Sequence, residues 1–374
     1  MTDEQVLRKF DDWLKDDSDV AALVMRQWLE PVEGKDAVVF PPTYAKPERM
    51  REDDWTGYNI DRFEDGTSVC QIDSVGSQAN RMEPIFKRET YKHLVPQVVI
   101  KAGGKEINLL DAGHRAADAI VRFSNLTDQL ERAFQSIKDG NAEPLAKIAP
   151  TSIVFGSWDS RATQVKIPRV VRSVIRAYQV KSLHRSAQYI PPVEYVEEGL
   201  LEQAQDKKQQ DAMSQLGLSH APAPWTHGGI QVAGEIRRDA TLNLVAVRTL
   251  GAGTQDDEAA LELRRYILGL ALIVFTAPQE SFLREGCQLV PDQGKNADWK
   301  KVHHDGKRDP VALPPDDAKA YADAAAKAFV VGKNLRQIEF GAEIASEALG
   351  QDKKQRKASR RDKRSASVAP SGND

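Results

Sequence analysis

Between Ser160 and Val193 the chain has no Asp or Glu, yet it carries Arg161, Lys166, Arg169, Arg172, Arg176, Lys181 and Arg185. Such a segment cannot neutralise itself. Its cations must face water, meet carboxylates from distant segments, or face a polyanion, for which nearby carboxylates would be repulsive. The feature is local. Across 374 residues the formal net charge is only -3, so any nucleic-acid contact must run along a focused track rather than through a general field.

Other bounds follow from composition. Residues 1–65 hold seventeen acids and nine bases, and residues 351–374 hold eight bases and three acids. The longest apolar run, Tyr266 to Ala277, is too short to span a bilayer. The acidic, amphipathic beginning lacks the pattern of a secretory signal. The only cysteines, Cys70 and Cys287, are far apart in sequence, with no metal-knuckle spacing. These readings lead us to expect a reduced, cytoplasmic protein with no membrane segment, metal or cofactor.

Along the chain, apolar spacing predicts helices over Glu4–Lys15 and Asp19–Glu30 and a short strand at Val38–Phe40. Residues 43–66 read as a long loop. A strand is expected at Thr67–Ile72, followed by a helix capped by Ser74 with a break at Pro84. Val95–Lys101 and Glu106–Leu110 flank Gly103-Gly104 as a hairpin. An interrupted helical stretch from Asp111 to Lys138 and a strand at Ser152–Phe155 follow. Residues 194–229, rich in Gln and Ala and then in Pro and Gly, read as a projecting insertion. Strand alternation returns over Ile230–Ile236 and Thr241–Thr249, around a turn at Arg237, Arg238 and Asp239. Helices are expected at Glu258–Thr276 and from Asp316 to Gly332, the latter closed by its glycine. The tail 351–374 reads as disordered. This mixture lacks regular βαβ alternation, so the class is α+β.

Pro168 suits the first position of a helix. A helix over Pro168–Tyr178 would gather Arg169, Arg172 and Arg176 within about 60° of one another, ~4.5–6 Å apart along the axis. Val170, Val171, Val174, Ile175 and Tyr178 would pack underneath. Guanidinium forks suit phosphate; the alternative is a solvated face paired with distant acids. The block Ser74–Glu83 offers amides (Gln78, Asn80) and Arg81 for base edges, sugars or phosphate, or else is simply a capped helix with a polar face. Asp111, His114 and Arg115, close together after a strand, invite an active-site guess, although no partner nucleophile is visible, and His184 is a separate candidate for acid–base cleavage of RNA. His303 and His304, as neighbours on a strand, would point to opposite faces and serve poorly as joint metal ligands. Glycine-rich nucleotide loops, zinc signatures and nucleophile elbows are absent from the sequence.

Four blocks, SVGSQANRMEP, LLDAGHRAADAIVRFS, TSIVFGSWDSRATQVKIPRVVRSVIRA and LHRSAQYIPP, cover roughly residues 74–192. Together they resemble the backbone subunit of type I-G (formerly I-U) CRISPR effector complexes, the seventh Cas family of the RAMP superfamily. The most specific combination is FGSWDSR followed by QVKIPR; Ala162 stands where that family would have a glycine.

The resemblance implies a modified RRM-like (ferredoxin-like) palm with inserted finger and thumb segments: one RAMP-type domain over residues 1–350, with 194–229 as the thumb. It implies a subunit that polymerises along CRISPR RNA and presents the spacer for pairing with a target DNA strand. Its partners would be further copies of itself and other Cascade subunits. RNA contacts would come from Arg161, Lys166, Arg169, Arg172 and Arg176, with Gln78, Asn80 and Arg81 by carry-over. Phe155, Trp158 and the valines would form the packed underside. No enzymatic activity is expected. The alternatives are a type III-like subunit cutting target RNA with a metal and Asp159, which also reads as a turn residue, or an RNA-processing nuclease using His184 or His114.

Overall fold

The computed structural model describes residues 2–51, 55–253 and 257–350; the tail expected to be disordered lies outside them. Its framework is an antiparallel sheet with Val20–Pro31 (β1) near the middle. Strands then follow at Ile60–Arg62 (β2), Ser68–Asp73 (β3), Val98–Ala102 (β4), Lys105–Asn108 (β5), Ser157–Trp158 (β6), Lys166–Ile167 (β7) and Val171–Tyr178 (β8). The second half adds Val180–Tyr189 (β9), Ala221–Val232 (β10), Ile236–Asn243 (β11), Phe282–Arg284 (β12), Cys287–Pro291 (β13), Asp298–His303 (β14), Arg308–Pro310 (β15) and Leu335–Glu339 (β16).

Nine of these strands form the main sheet in the order β12-β13-β1-β11-β8-β3-β2; β14 lies beside the first half of β1 and carries β15. Among them, β1, β8, β11 and the β13/β14 edge follow in that order along the chain, with other strands between them. They lie in space as fourth, first, third, second, all antiparallel. That is the strand order of an RRM-like βαββαβ unit. Short helices fill the crossover between β1 and β8, and the helix Asp257–Thr276 makes the second crossover. The architecture is the expected α+β, RRM-like one.

One face of the sheet is covered. Leu23, Met25, Ala240 and Leu242 point into the larger core with the buried side of the Asp257–Thr276 helix. That helix packs on Pro315–Phe329, where Gly269 meets Ala322. A smaller core joins Tyr58, Ile72, Ile175, Ile236 and Leu289 with the two free, buried cysteines. The acidic N-terminal segment docks on its own chain: Asp11 pairs with Arg265 at 2.6 Å, and Phe10 stacks on Trp13.

Several expectations stand. Ser74 caps the helix Val75–Met82, whose end tightens into a 3-10 turn over Glu83–Lys87 at Pro84. The Gly103-Gly104 hairpin is β4–β5, and β16 adds to it in parallel. Others are corrected. Asp19–Glu30 is β1 rather than a helix, because sheet neighbours on both sides override its helix-forming Ala, Leu, Met, Arg and Gln. Ser152–Phe155 lies in a helical turn, Thr151–Val154. Val38–Phe40 forms only an isolated bridge between Val39 and Ile230. Arg237–Asp239 sit inside β11, and the following segment is the helix Leu244–Arg248, capped by Asn243. The last long helix ends at Phe329 with Val330, not a glycine, in the left-handed region.

The insertion is larger than residues 194–229. β9 and β10 pair into a two-stranded ribbon from Val180/Val232 to Tyr189/Ala221, with the helix Lys207–Gln215 in the connecting segment. At the ribbon's base, Gly234 donates its N–H to the Tyr178 carbonyl, which would lie 2.7 Å from a Cβ at that position. Only glycine lets the two backbones approach so closely.

Candidate nucleic-acid interface

The segment Phe155–Arg172 builds the site. Phe155 is buried, Gly156 turns the chain at φ +75°, and β6 and β7 form a small hairpin leading through Pro168 and Arg169 into β8. A Cβ on Gly156 would lie 2.8 Å from Arg169 Cγ and 3.0 Å from the Ile167 carbonyl. Asp159 closes the hairpin loop. Its carboxylate accepts from the Thr163 N–H and hydroxyl, both at 2.8 Å, and from the Ala162 N–H at 3.3 Å. Burial pushes its pKa upward, but these bonds hold it below the ordinary value. Asp159 is thus a turn-closing residue.

The hairpin, the Val75–Met82 helix and the turn at Gly113–Arg115 enclose a cleft of about 860 Å³. Asn80, His114, Arg115, Trp158, Lys166, Arg169 and Arg172 line it, and no acid does. Arg115 is buried. Its Nη2 donates to Asn80 Oδ1 at 3.2 Å, its Nη1 to the Gly156 carbonyl at 3.4 Å, and its guanidinium lies over the Phe155 ring. Glu83 stands behind it at 2.8 Å. Burial raises the Glu83 carboxyl to about 7, against the opposing pull of Arg115 and Thr151. Arg169 is held below its ordinary pKa by burial and by repulsion from Arg115 and Arg172. Three guanidiniums thus converge on an opening that supplies no counter-charge.

Trp158 was expected in the packed underside. Instead it is 59% exposed at the cleft wall, with Lys166 Nζ 5.8 Å from its ring centroid. A flat aromatic beside cations offers a platform on which a base can stack. The loop residues that follow Trp158 turn β6 back after only two residues, too short a strand to bury both faces.

The expected arginine helix is a strand, so its residues are distributed differently. Lys166, Arg169, Arg172 and Asn80 come together in the cleft. Arg176 lies farther along β8, two residue pairs from Arg172 on the same uncovered face of the sheet, ~13 Å away at ~3.3 Å per residue. Arg161 is exposed on the hairpin loop, outside the cleft lining. Gln78 is 1% exposed: its Nε2 donates to Asp73 and its Oε1 accepts from Ser173. Arg81 binds Asp73 and the Leu283 carbonyl. The structure therefore gives Gln78 and Arg81 work inside the fold, where the sequence suggested outward contacts. None of the seven bases of residues 160–193 pairs with a carboxylate among the described residues.

The histidines scatter. His114 lines the cleft, whereas His184 stacks on Trp225 in the ribbon at 3.8 Å. His303 bonds Asp19 and Asp309, and His304 faces Arg248. Among the described residues no group of three or more His, Cys, Asp or Glu is placed to hold a metal, and no helix is long and apolar enough to cross a membrane.

Fold and cleft define a class first: an RRM-like α+β protein with a cationic cleft beside its sheet, lined by no acid. Residues 23–182, from β1 into β9 and so including the whole cleft, match the model of a family described as CRISPR-associated protein GSU0053 (Cas_GSU0053). The match covers less than half of the chain and marks this segment as similar to that family. No curated protein matches the chain.

Proposed function

We propose that this protein is a non-catalytic, CRISPR RNA-binding backbone subunit of a type I effector complex, of the I-G kind. On this reading it grips the guide's sugar-phosphate chain through Lys166, Arg169 and Arg172 and stacks a base on Trp158. The supporting observation is the convergence of Arg115, Arg169 and Arg172 on a cleft without a carboxylate, inside the segment that matches a CRISPR-associated family. Phosphate would relieve the mutual repulsion of these groups. Arg176, unpaired on the same sheet face, extends the track towards the ribbon. The ribbon is the thumb in this reading, reaching a neighbouring copy. Base pairing by the guide, not the protein, would then read the target DNA strand.

Co-expression with a CRISPR array provides the test. The wild-type protein is expected to purify with short RNA of uniform length, and a Lys166→Glu, Arg169→Glu, Arg172→Glu variant of unchanged circular dichroism is expected to purify without it. Equal RNA recovery from the two proteins overturns the proposal.

A further inference from the structure

A second cavity, of about 350 Å³, lies on the covered face of the sheet, bounded by β1, β11, β12–β14 and the C-terminal end of the Asp257–Thr276 helix. Its walls are mostly apolar, with Met25, Leu29, Phe275, Leu289 and Trp299 contributing. The volume falls within the ~300–1,000 Å³ of small-molecule sites.

One wall residue does not belong in such company. Arg238 is 3% exposed. Its Nε donates to Ser173 Oγ at 2.9 Å and its Nη2 reaches Met82 Sδ at 3.7 Å. Among the described residues no carboxylate forms an ion pair with it. Burial alone lowers its pKa, to about 10. A buried guanidinium without a counter-ion is costly to the fold.

The surrounding charges do not compensate it. Glu280, on the cavity wall, is exposed and 3.9 Å from Arg88. Ser173 passes its hydroxyl to Gln78, whose amide ends on Asp73. Asp73 is already paired with Arg81 and Arg284, both at 3.1 Å, and Arg284 Nη1 is itself buried without a hydrogen-bond partner. One carboxylate is thus shared among two arginines before Arg238 is reached. The carbonyl end of the long helix supplies only a partial negative charge, and no bond from Arg238 goes to it.

We infer that this cavity binds a small amphipathic carboxylate, its anionic end on Arg238 and its apolar body among Met25, Leu29, Phe275 and Trp299. The site is separate from the cleft and does not depend on RNA binding.

Phenylacetate is a suitable probe, with phenylacetamide as the uncharged isostere and acetate as the charge without a body. Calorimetric titration of the full chain is expected to give saturable phenylacetate binding in the millimolar range or tighter, at least about tenfold stronger than either control. Arg238→Met, which keeps the volume, is expected to abolish the preference for the acid over the amide. Arg238→Lys, which keeps the charge, is expected to retain it and so guards against a packing explanation. Equal affinity for acid and amide, no saturable binding at about 10 mM, or an unchanged preference in Arg238→Met overturns the inference.

Discussion

Arg115 Nε lies 2.8 Å from Glu83 Oε2, in an ion pair sealed from water directly behind the cationic cleft. The partner charge is conditional, because burial holds Glu83 near a pKa of about 7 rather than its ordinary 4.5. The folded protein therefore binds this proton more tightly than the unfolded chain. The associated stabilisation is complete below about pH 4.5 and is lost as pH rises through about 7. Protonation also frees the Arg115 charge to act on the cleft. RNA affinity is expected to rise as pH falls from 8 to 6, and Glu83→Gln is expected to flatten both dependences. Anisotropy titrations and thermal melts across that range provide the check.

Removing the other partner has a different signature. Arg115→Ala leaves Glu83 buried without its guanidinium, a change expected to cost about 3–5 kcal/mol. Urea unfolding at pH 8, where Glu83 is ionised, should show the largest loss. The double variant Arg115→Met, Glu83→Gln should recover much of it.

Arg169 and Arg172 form no ion pair among the described residues, and burial together with repulsion from Arg115 and Arg172 lowers the pKa of Arg169. Neutral substitutions, Arg169→Gln and Arg172→Gln, are expected to leave stability within about 0.5 kcal/mol. Each should lower the slope of log affinity for single-stranded RNA against log salt by about 0.7 per lost phosphate contact. Salt titrations of both variants measure this directly.

Trp158 makes its case through exposure. Trp158→Ala is expected to leave the melting temperature unchanged and to weaken RNA binding by about 1–3 kcal/mol, the usual worth of a base–aromatic stack. Quenching of its fluorescence by bound RNA should disappear with the residue.

Gly156 supports the cleft sterically. Gly156→Ala adds a Cβ at φ +75°, 2.8 Å from Arg169 Cγ. It is expected to destabilise the protein by more than about 1 kcal/mol and to reduce RNA affinity by displacing Arg169. Chemical denaturation and anisotropy on the same variant read the two effects separately.

The sequence carried the cleft's charge but not its shape. Residues four apart share a face in a helix and also in a strand, so Arg172 and Arg176 satisfy either period. Arg169, three before Arg172, fits only the helix, and it tipped the reading wrongly. The β-branched run Val170, Val171, Val174, Ile175 was the better guide, and β8 follows it. Ser74 and Gly103-Gly104 were legible because capping and turning are local chemistry. β1 was not, since its pairing partners lie more than 200 residues away. The sequence singles out Arg115 beside His114 and places Trp158 in the packed underside, but not their settings: ion pairing with Glu83 and exposure beside Lys166 are properties of assembled segments, not of their own neighbourhoods.

The β9–β10 ribbon is not hung on the main sheet by a slack tether. β8 passes into β9, and β10 into β11, across a base clasped by the Tyr178–Gly234 and Gln179–Ala233 backbone bonds. Whatever holds the far end of this arm has leverage on the strand bearing Arg172 and Arg176. A pull on the ribbon's tip and a ligand held at those arginines are mechanically one event.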